Sequence, residues 1–208
     1  MEYLLATNNP GKVSEIEKIF AAHQLPITSL KQLGLFFEAD EPWDTFEKNA
    51  MEKAVKTQEF LSNHGHDHIA VIADDSGLMI DALDGLPGVD SANFMGRDTA
   101  YTIRNQHLID AVNQHEDRTA RFVSVVVCVY PAGHHVIARG EVVGHIAHAQ
   151  AGEGGFGYDP IFYVPTHGKT MAEISIDEKN KISHRGQAIA QLIKKIEKIE
   201  KIKSHSPV

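Results

Sequence analysis

The chain has one cysteine, no general excess of positive charge and no hydrophobic run of membrane-spanning length. With Cys128 alone, no intrachain disulfide is possible, and its place in the apolar run 123–130 marks a buried, reduced thiol rather than an oxidising compartment. Lys and Arg total 20 against 28 Asp and Glu, a formal charge of -8, so the chain lacks the basic excess needed to track a nucleic-acid backbone. A small anionic ligand needs only a local cluster of cations and stays open. No stretch approaches the roughly 18 apolar residues that span a bilayer, and the opening Met1-Glu2-Tyr3-Leu4-Leu5-Ala6 turns polar too soon for a signal peptide. Internal repeats and low-complexity linkers are missing too. The expectation is a cytoplasmic protein without membrane or nucleic-acid partners, folded as a single domain over residues 1–208 with a basic, frayed tail at about 203–208.

What is present is an alternation of short apolar runs with helix-period segments, the pattern of an α/β domain. Residues 3–6 read as a buried strand, 7–12 as a polar loop and 13–23 as a helix. Thr45 is placed to cap a second helix that runs to about residue 62, with Phe46, Ala50, Ala54 and Leu61 inward. Short strands follow at 69–73 and 78–83, separated by Asp74-Asp75-Ser76-Gly77. Residues 101–115 read as a helix, and 120–130 and 136–147 as two long strands joined through Pro131-Ala132-Gly133. The last helix spans about 186–203. Its Ile193, Ile196, Ile199 and Ile202 recur every three residues, a stripe that slides round the helix and indicates core packing more than a coiled coil.

Four polar clusters have the residue types for phosphate chemistry. Thr7-Asn8-Asn9-Pro10-Gly11-Lys12 joins a strand to a helix, where free amides, a Gly for close approach and a Lys suit a phosphate. It is not a Walker A loop, lacking the first Gly and the hydroxyl residue after Lys12, and by itself Asn-Pro-Gly is equally an ordinary turn. In Asp74-Asp75-Ser76-Gly77 two adjacent carboxylates end an apolar strand. They repel unless a cation or donors compensate, and hard oxygen ligands of this kind suit Mg²⁺; the competing reading is an Asx-turn. Glu38, Asp40 and Glu41 add carboxylates nearby. In Gly154-Gly155-Phe156-Gly157-Tyr158-Asp159-Pro160 an aromatic can stack on a base and Asp159 can accept from it or from a cation. Lys179-Asn180-Lys181-Ile182-Ser183-His184-Arg185-Gly186 collects donors ahead of the last helix, for phosphate or carbonyl oxygens, or simply as a basic surface. His64-Gly65-His66-Asp67-His68 reads as a solvated loop in preference to a transition-metal site.

In order and together, Ala6 to Lys12, Thr45-Phe46 with Asn49-Ala50 and Lys53-Ala54, Ala73 to Leu78, Gly155 to Phe162, and Ile182 to Ala188 resemble the inosine triphosphate pyrophosphatase family over residues 3–192. That resemblance implies an elongated mixed β-sheet flanked by helices, two lobes with a nucleotide cleft between them, and a homodimer. It also implies hydrolysis of aberrant purine nucleoside triphosphates such as ITP, dITP and XTP to the monophosphate and pyrophosphate. On that resemblance Thr7, Asn8, Asn9, Pro10, Gly11, Lys12 and Lys53 hold the triphosphate, and Glu41 and Asp75 bind Mg²⁺. Asp75 acts on the attacking water and Ser76 touches substrate, while Phe156, Gly157, Tyr158, Asp159, Lys179, His184 and Arg185 surround the nucleotide. Four residues depart from the family pattern: Trp43 stands at a usual Gly, Lys48 at a usual Glu, Asp90 at a usual Tyr and Asn93 at a usual Arg. These departures motivate two alternatives, a nucleotide-binding sensor without turnover and a pyrophosphatase for pyrimidine or modified nucleotides.

Overall fold

In the computed structural model, which describes residues 1–205 with side chains through residue 201, seven strands form one mixed sheet in the order β2-β1-β3-β4-β5-β6-β7. The strands are β1 Tyr3–Leu5, β2 Ile27–Ser29, β3 Ala70–Ile80, β4 Thr119–Val129, β5 His135–Ile146, β6 Phe162–Val164 and β7 Lys169–Thr170. Five α-helices accompany them: α1 Pro10–Ala22, α2 Phe46–Asn63, α3 Tyr101–Val112, α4 Ile176–Ile182 and α5 His184–His205. The expected α/β class and mixed sheet are therefore observed. The chain divides into two compact units, the first comprising residues 1–75, 124–140 and 185 onward, the second residues 76–123 and 141–184.

In the first unit β1 pairs in parallel with both β2 and β3. Tyr3, Leu5 and Ile72 pack with Ile16 and Phe20 of α1 and with Ile189, Leu192, Ile193 and Ile196 of α5 in one apolar cluster. Leu4 and Val71, of opposite parity, are also fully buried, so both faces of these strands are covered, as parallel strands require. Ile193 and Ile196 lie in the core and Ile199 packs at its margin, the drift expected of a three-residue step. Ile202 and the tail at 203–208 fall on side chains outside the described residues. Cys128 is buried in this core, and burial pushes its thiol up to about 12. In the second unit β6 pairs antiparallel with β5 and β7. Leu78, Leu108, Phe122, Ile161, Phe162 and Met171 form its core. Among the described residues, no helix is long and apolar enough to cross a membrane.

Three boundaries differ from the sequence reading, each near a candidate residue. The segment 74–77 is not a break between strands, because β3 runs unbroken from Ala70 to Ile80 and the 78–83 stretch ends in a 3-10 turn at Asp81–Leu83. Helix α1 starts at Pro10 rather than residue 13, since proline is preset for the first helical position and Asn9 caps it. Helix α5 starts at His184 and a separate short helix, α4, carries Lys179, so the basic segment is helical on both sides of Ser183.

Candidate active site

Alternation along β3 sorts the paired carboxylates. Asp74 has the parity of Ile72, which faces α1 and α5, and Asp75 the opposite parity. Accordingly Asp74 Oδ2 meets Lys12 Nζ of α1 at 3.0 Å and Arg185 Nε of α5 at 3.4 Å. Arg185 Nη1 donates in turn to Glu15 Oε2 at 2.5 Å, all three of Asp74, Arg185 and Glu15 being buried. Burial works against the Asp74 charge, but Lys12, Arg185 and Lys53 outweigh it and hold the carboxyl well below the usual carboxylate range. Burial also lowers the pKa of Lys12, against the pull of Asp74.

Asp75, buried on the other side of the strand, has a different environment. Burial pushes its carboxyl up to about 6; Lys12 and Lys53 oppose that rise and the Glu41 carboxylate adds to it. Lys53 of α2 pairs with Glu41 and donates to the Asp74 backbone carbonyl at 3.1 Å. Burial opposes the Lys53 charge, yet Glu41 and Asp74 prevail and raise its pKa. Glu41, Lys53, Asp75 and Lys12 thus form one charged neighbourhood in the first unit, drawn from four chain segments.

The chain entering α1 is ordered by its own side chains. Thr7 Oγ1 accepts from Asn9 N at 3.2 Å, and Asn9 Oδ1 accepts from Gly11 N at 3.0 Å and Lys12 N at 3.2 Å. The amides of Gly11 and Lys12, expected to face a phosphate, are therefore taken up by the Asn9 cap. Asn8 Nδ2 reaches the carbonyl of Phe37 at 3.4 Å, and Phe37 stacks on Phe60 of α2 at 4.7 Å. Two departures from the family pattern contact each other, with Lys48 Nζ 5.5 Å from the centroid of the Trp43 ring and 3.3 Å from Asp44.

In the second unit, Lys179 Nζ meets Asp159 Oδ2 at 2.5 Å and lies 5.0 Å from the centre of the Phe156 ring. Asp159 also accepts from Phe156 N at 2.7 Å, so this acid shapes its own loop. A Cβ on Gly155 would fall 2.0 Å from Asp159 Oδ2, and Gly155 has φ +67, so the loop requires glycine there on two grounds. Tyr158, expected beside the nucleotide, is buried and donates to the Ser91 carbonyl at 2.7 Å; it acts as a strut, leaving Phe156 as the more accessible aromatic. Gly157 is held through its carbonyl by Asn105 Nδ2 at 3.2 Å. His184 stacks on Phe122 at 4.7 Å, and Ser76 is half-buried in β3. Asn93 Oδ1 accepts from Arg97 Nε at 3.1 Å, while the buried Arg104 donates to the carbonyls of Ala92, Gly96 and Arg97 and so fixes that loop.

The structure therefore separates the sequence candidates into two sets. Lys12, Glu41, Lys53, Asp75 and Arg185 gather in the first unit, and Phe156, Asp159, Lys179 and His184 belong to the second. The chain passes between units after Asp75 and again after His184, directly beside candidate residues. Sequence reading missed Glu15 and assigned no role to Asn49. Both are polar residues set among mostly apolar buried positions of their helices, and that was the signal available. The His64 to His68 segment is mostly exposed, and no group of three His, Cys, Asp or Glu side chains suited to a metal occurs among the described residues.

The dITP/XTP pyrophosphatase of Clostridium perfringens is 40% identical over 193 residues, covering 92% of this chain and 95% of the relative. That of an Exiguobacterium species is 44% identical over 192 residues, with 92% and 95% covered. Among solved structures, the Ham1 protein of Staphylococcus aureus superposes with a TM-score of 0.82 at 38% identity, covering 95% of this chain and 98% of that one. The Coxiella burnetii HAM1 protein gives 0.84 at 34% identity, covering 95% and 99%. The sequence model of the Ham1 family matches residues 3–195, and the chain belongs to that family.

Proposed function

We propose that the chain hydrolyses noncanonical purine nucleoside triphosphates, dITP and XTP with ITP, to the monophosphate and pyrophosphate. The relatives named above act on the first two, and the observation in this chain that supports the same reaction is the Asp74–Asp75 pair. One acid is held charged between Lys12 and Arg185; the other is buried on the opposite face beside Glu41, where burial pushes its carboxyl up to about 6.

Attack by water on the α-phosphorus breaks the bond to the bridging oxygen, and pyrophosphate leaves with that oxygen. The step requires alignment and charge neutralisation more than a covalent nucleophile. Lys12 and Lys53 supply positive charge to the triphosphate. Asp75 orients the attacking water and takes its proton. Glu41 and Asp75 fit a divalent cation of the Mg²⁺ kind, since Mg²⁺ takes one or two carboxylates and fills its shell with water and phosphate oxygens. When bound, such a cation would neutralise charge on the triphosphate oxygens.

In the second unit, Phe156 offers a face to the base while Lys179 and Asp159 hold the loop that presents it. Donors aimed at a 6-keto oxygen would favour inosine and xanthosine over adenosine, whose amino group would leave donor facing donor. His184 is the second-unit donor assigned to that task, while Arg185 is held by Glu15 and Asp74 in the first unit. The same reading extends to a cytoplasmic homodimer.

The test is pyrophosphate release from dITP, XTP, ITP, GTP, ATP and UTP with Mg²⁺, for the wild-type chain and Asp75→Asn. Release confined largely to dITP, XTP and ITP, and lost in Asp75→Asn, is expected. Preference for UTP would refute the purine assignment, nucleotide binding without release would establish the sensor reading, and a fully active Asp75→Asn would remove Asp75 from the reaction.

A further inference from the structure

Glu41 lies in a stretch, residues 35–43, that belongs to neither helix nor strand, so its position beside Asp75 depends on tethers made by side chains. Besides the Lys53 pair on Glu41 itself, the tether nearest to it is Asn49. This residue is on the first turns of α2, 2% exposed, and its amide grips the backbone of Trp43 at both ends: Oδ1 accepts from Trp43 N at 2.9 Å, and Nδ2 donates to Trp43 O at 3.1 Å. Only one orientation of the amide satisfies both bonds, so oxygen and nitrogen are assigned by the backbone they meet. Asn49 also lies close enough to Asp75 to favour its ionised form, against the burial that raises that carboxyl. An amide has two N–H donors and one carbonyl, and here the two bonds to Trp43 engage both kinds of group. One rigid, buried side chain thus ties α2 to the segment carrying Glu41, two residues from the gripped position.

We infer that Asn49 is a positioning residue which, by fixing the Trp43 backbone to α2, sets the separation of the Glu41 and Asp75 carboxylates and so the affinity for the divalent cation. The inference rests on the metal-assisted reading given above. An apolar residue at position 49 would fill space on α2 but could not grip residue 43, leaving Glu41 to its pairing with Lys53. Partners that orient metal ligands affect affinity by about 10–100-fold when removed.

Trp43 is the single tryptophan and is 45% exposed, so its fluorescence reports directly on the gripped segment. The experiment titrates Mg²⁺ into the wild-type chain and Asn49→Ala with inorganic pyrophosphate present, following Trp43 fluorescence, and in parallel measures pyrophosphate release from dITP against Mg²⁺. The half-saturating Mg²⁺ should rise about 10-fold or more in both readouts, with kcat at saturating Mg²⁺ within a few-fold of wild type. A kcat lost at every Mg²⁺ concentration with unchanged half-saturation would make Asn49 merely structural and overturn the inference. Trp43→Pro deletes the N–H that Asn49 accepts while leaving Asn49 in place, and its Mg²⁺ binding, read by calorimetry, should weaken in the same direction. If Asn49→Ala does not fold, an unshifted isotherm in Trp43→Pro overturns the inference. A wild-type chain that releases no pyrophosphate would instead overturn the parent reading.

Discussion

Replacing Glu15 by Ala should be among the most damaging single changes in the first unit, though Glu15 belongs to no motif that marks the family. Glu15 and Arg185 have side chains 4% and 3% exposed and meet at 2.5 Å. Removing one partner of a buried ion pair costs about 3–5 kcal/mol, because the remaining charge has left water without compensation. Arg185 would keep Asp74 Oδ2 at 3.4 Å, a long contact that Asp74 shares with Lys12, so the loss should fall at the low end, about 3 kcal/mol. For a chain of this size each kcal/mol moves the thermal midpoint by about 2–4 °C, which gives a fall of about 6–12 °C. The assay is thermal unfolding followed by circular dichroism, with Arg139→Ala as the comparison. Arg139 pairs with Glu47 at 2.7 Å, nearly as close, but the two side chains are 47% and 43% exposed, and such a pair contributes about 0–1 kcal/mol. Glu15→Gln, which keeps an acceptor but not the charge, should lie between. If Glu15→Ala moves the midpoint no further than Arg139→Ala, the claim that burial rather than distance sets the strength of these pairs is wrong for this protein.

Other outcomes follow from the same geometry. Because the Asp74 carboxyl is depressed in the folded state, its contribution to stability is present above the unfolded value of about 3.9 and is lost as pH falls through the lower folded value; acid titration of the thermal midpoint should show a limb below about pH 4 that Asp74→Asn flattens. Gly155→Ala should destabilise the Phe156 loop by about 1–3 kcal/mol and weaken binding of dITP, since its methyl group would displace the Asp159 carboxylate that Lys179 and Phe156 N require; nucleotide titration and thermal unfolding check both. Cys128 should resist a water-soluble disulfide reagent in the folded chain and react on addition of denaturant, because its thiol is buried and hard to ionise.

The parts of this molecule that were legible in the sequence are those specified within a few residues. Thr45 announces α2 because its hydroxyl caps the helix at Lys48 N, and the β-branched runs at 120–130 and 136–147 leave little alternative to long strands. The start of α1 carried an equally local signal, Asn9 as cap and Pro10 at the first helical position, but the adjoining glycine made the segment read as a loop. Illegible features depend on contacts between segments distant in the chain. Asp74-Asp75-Ser76-Gly77 looks like a turn because adjacent carboxylates and a glycine disfavour a strand; it continues as one because Lys12 and Arg185, separated from Asp74 by 62 and 111 positions in the numbering, neutralise one acid from outside the segment. Tyr158 shows the same limit. Its place in a family motif indicated a substrate contact, while its buried hydroxyl is bonded to Ser91, a partner that local sequence could not name.

Asp74 and Asp75 also show how a single step along a strand can produce two chemistries from one residue type. The side-chain period of two places them on opposite faces, and each face has its own helices. Lys12 and Arg185, from α1 and α5, surround Asp74 with enough positive charge to overcome its burial, so its carboxyl stays ionised across the physiological range and cannot exchange a proton usefully. On the other face Asp75 has Glu41 as a neighbour, and burial and like charge lift its carboxyl to about 6 although the lysines and Asn49 act to lower it. Exchanging the surroundings would exchange the roles. The pair is therefore specified less by the two aspartates than by which helix delivers Lys12, Arg185, Asn49 and Lys53 to each side of β3. A variant that removes positive charge from the Asp74 face, such as Lys12→Met, should raise the Asp74 carboxyl and, because Lys12 also restrains Asp75, push the Asp75 carboxyl higher still. The acidic limb of the pyrophosphate-release profile should then move to higher pH, since Asp75 must lose its proton before it can accept one from water. An unmoved limb in Lys12→Met, with turnover still measurable, would show that Asp75 is not the group whose ionisation that limb reports.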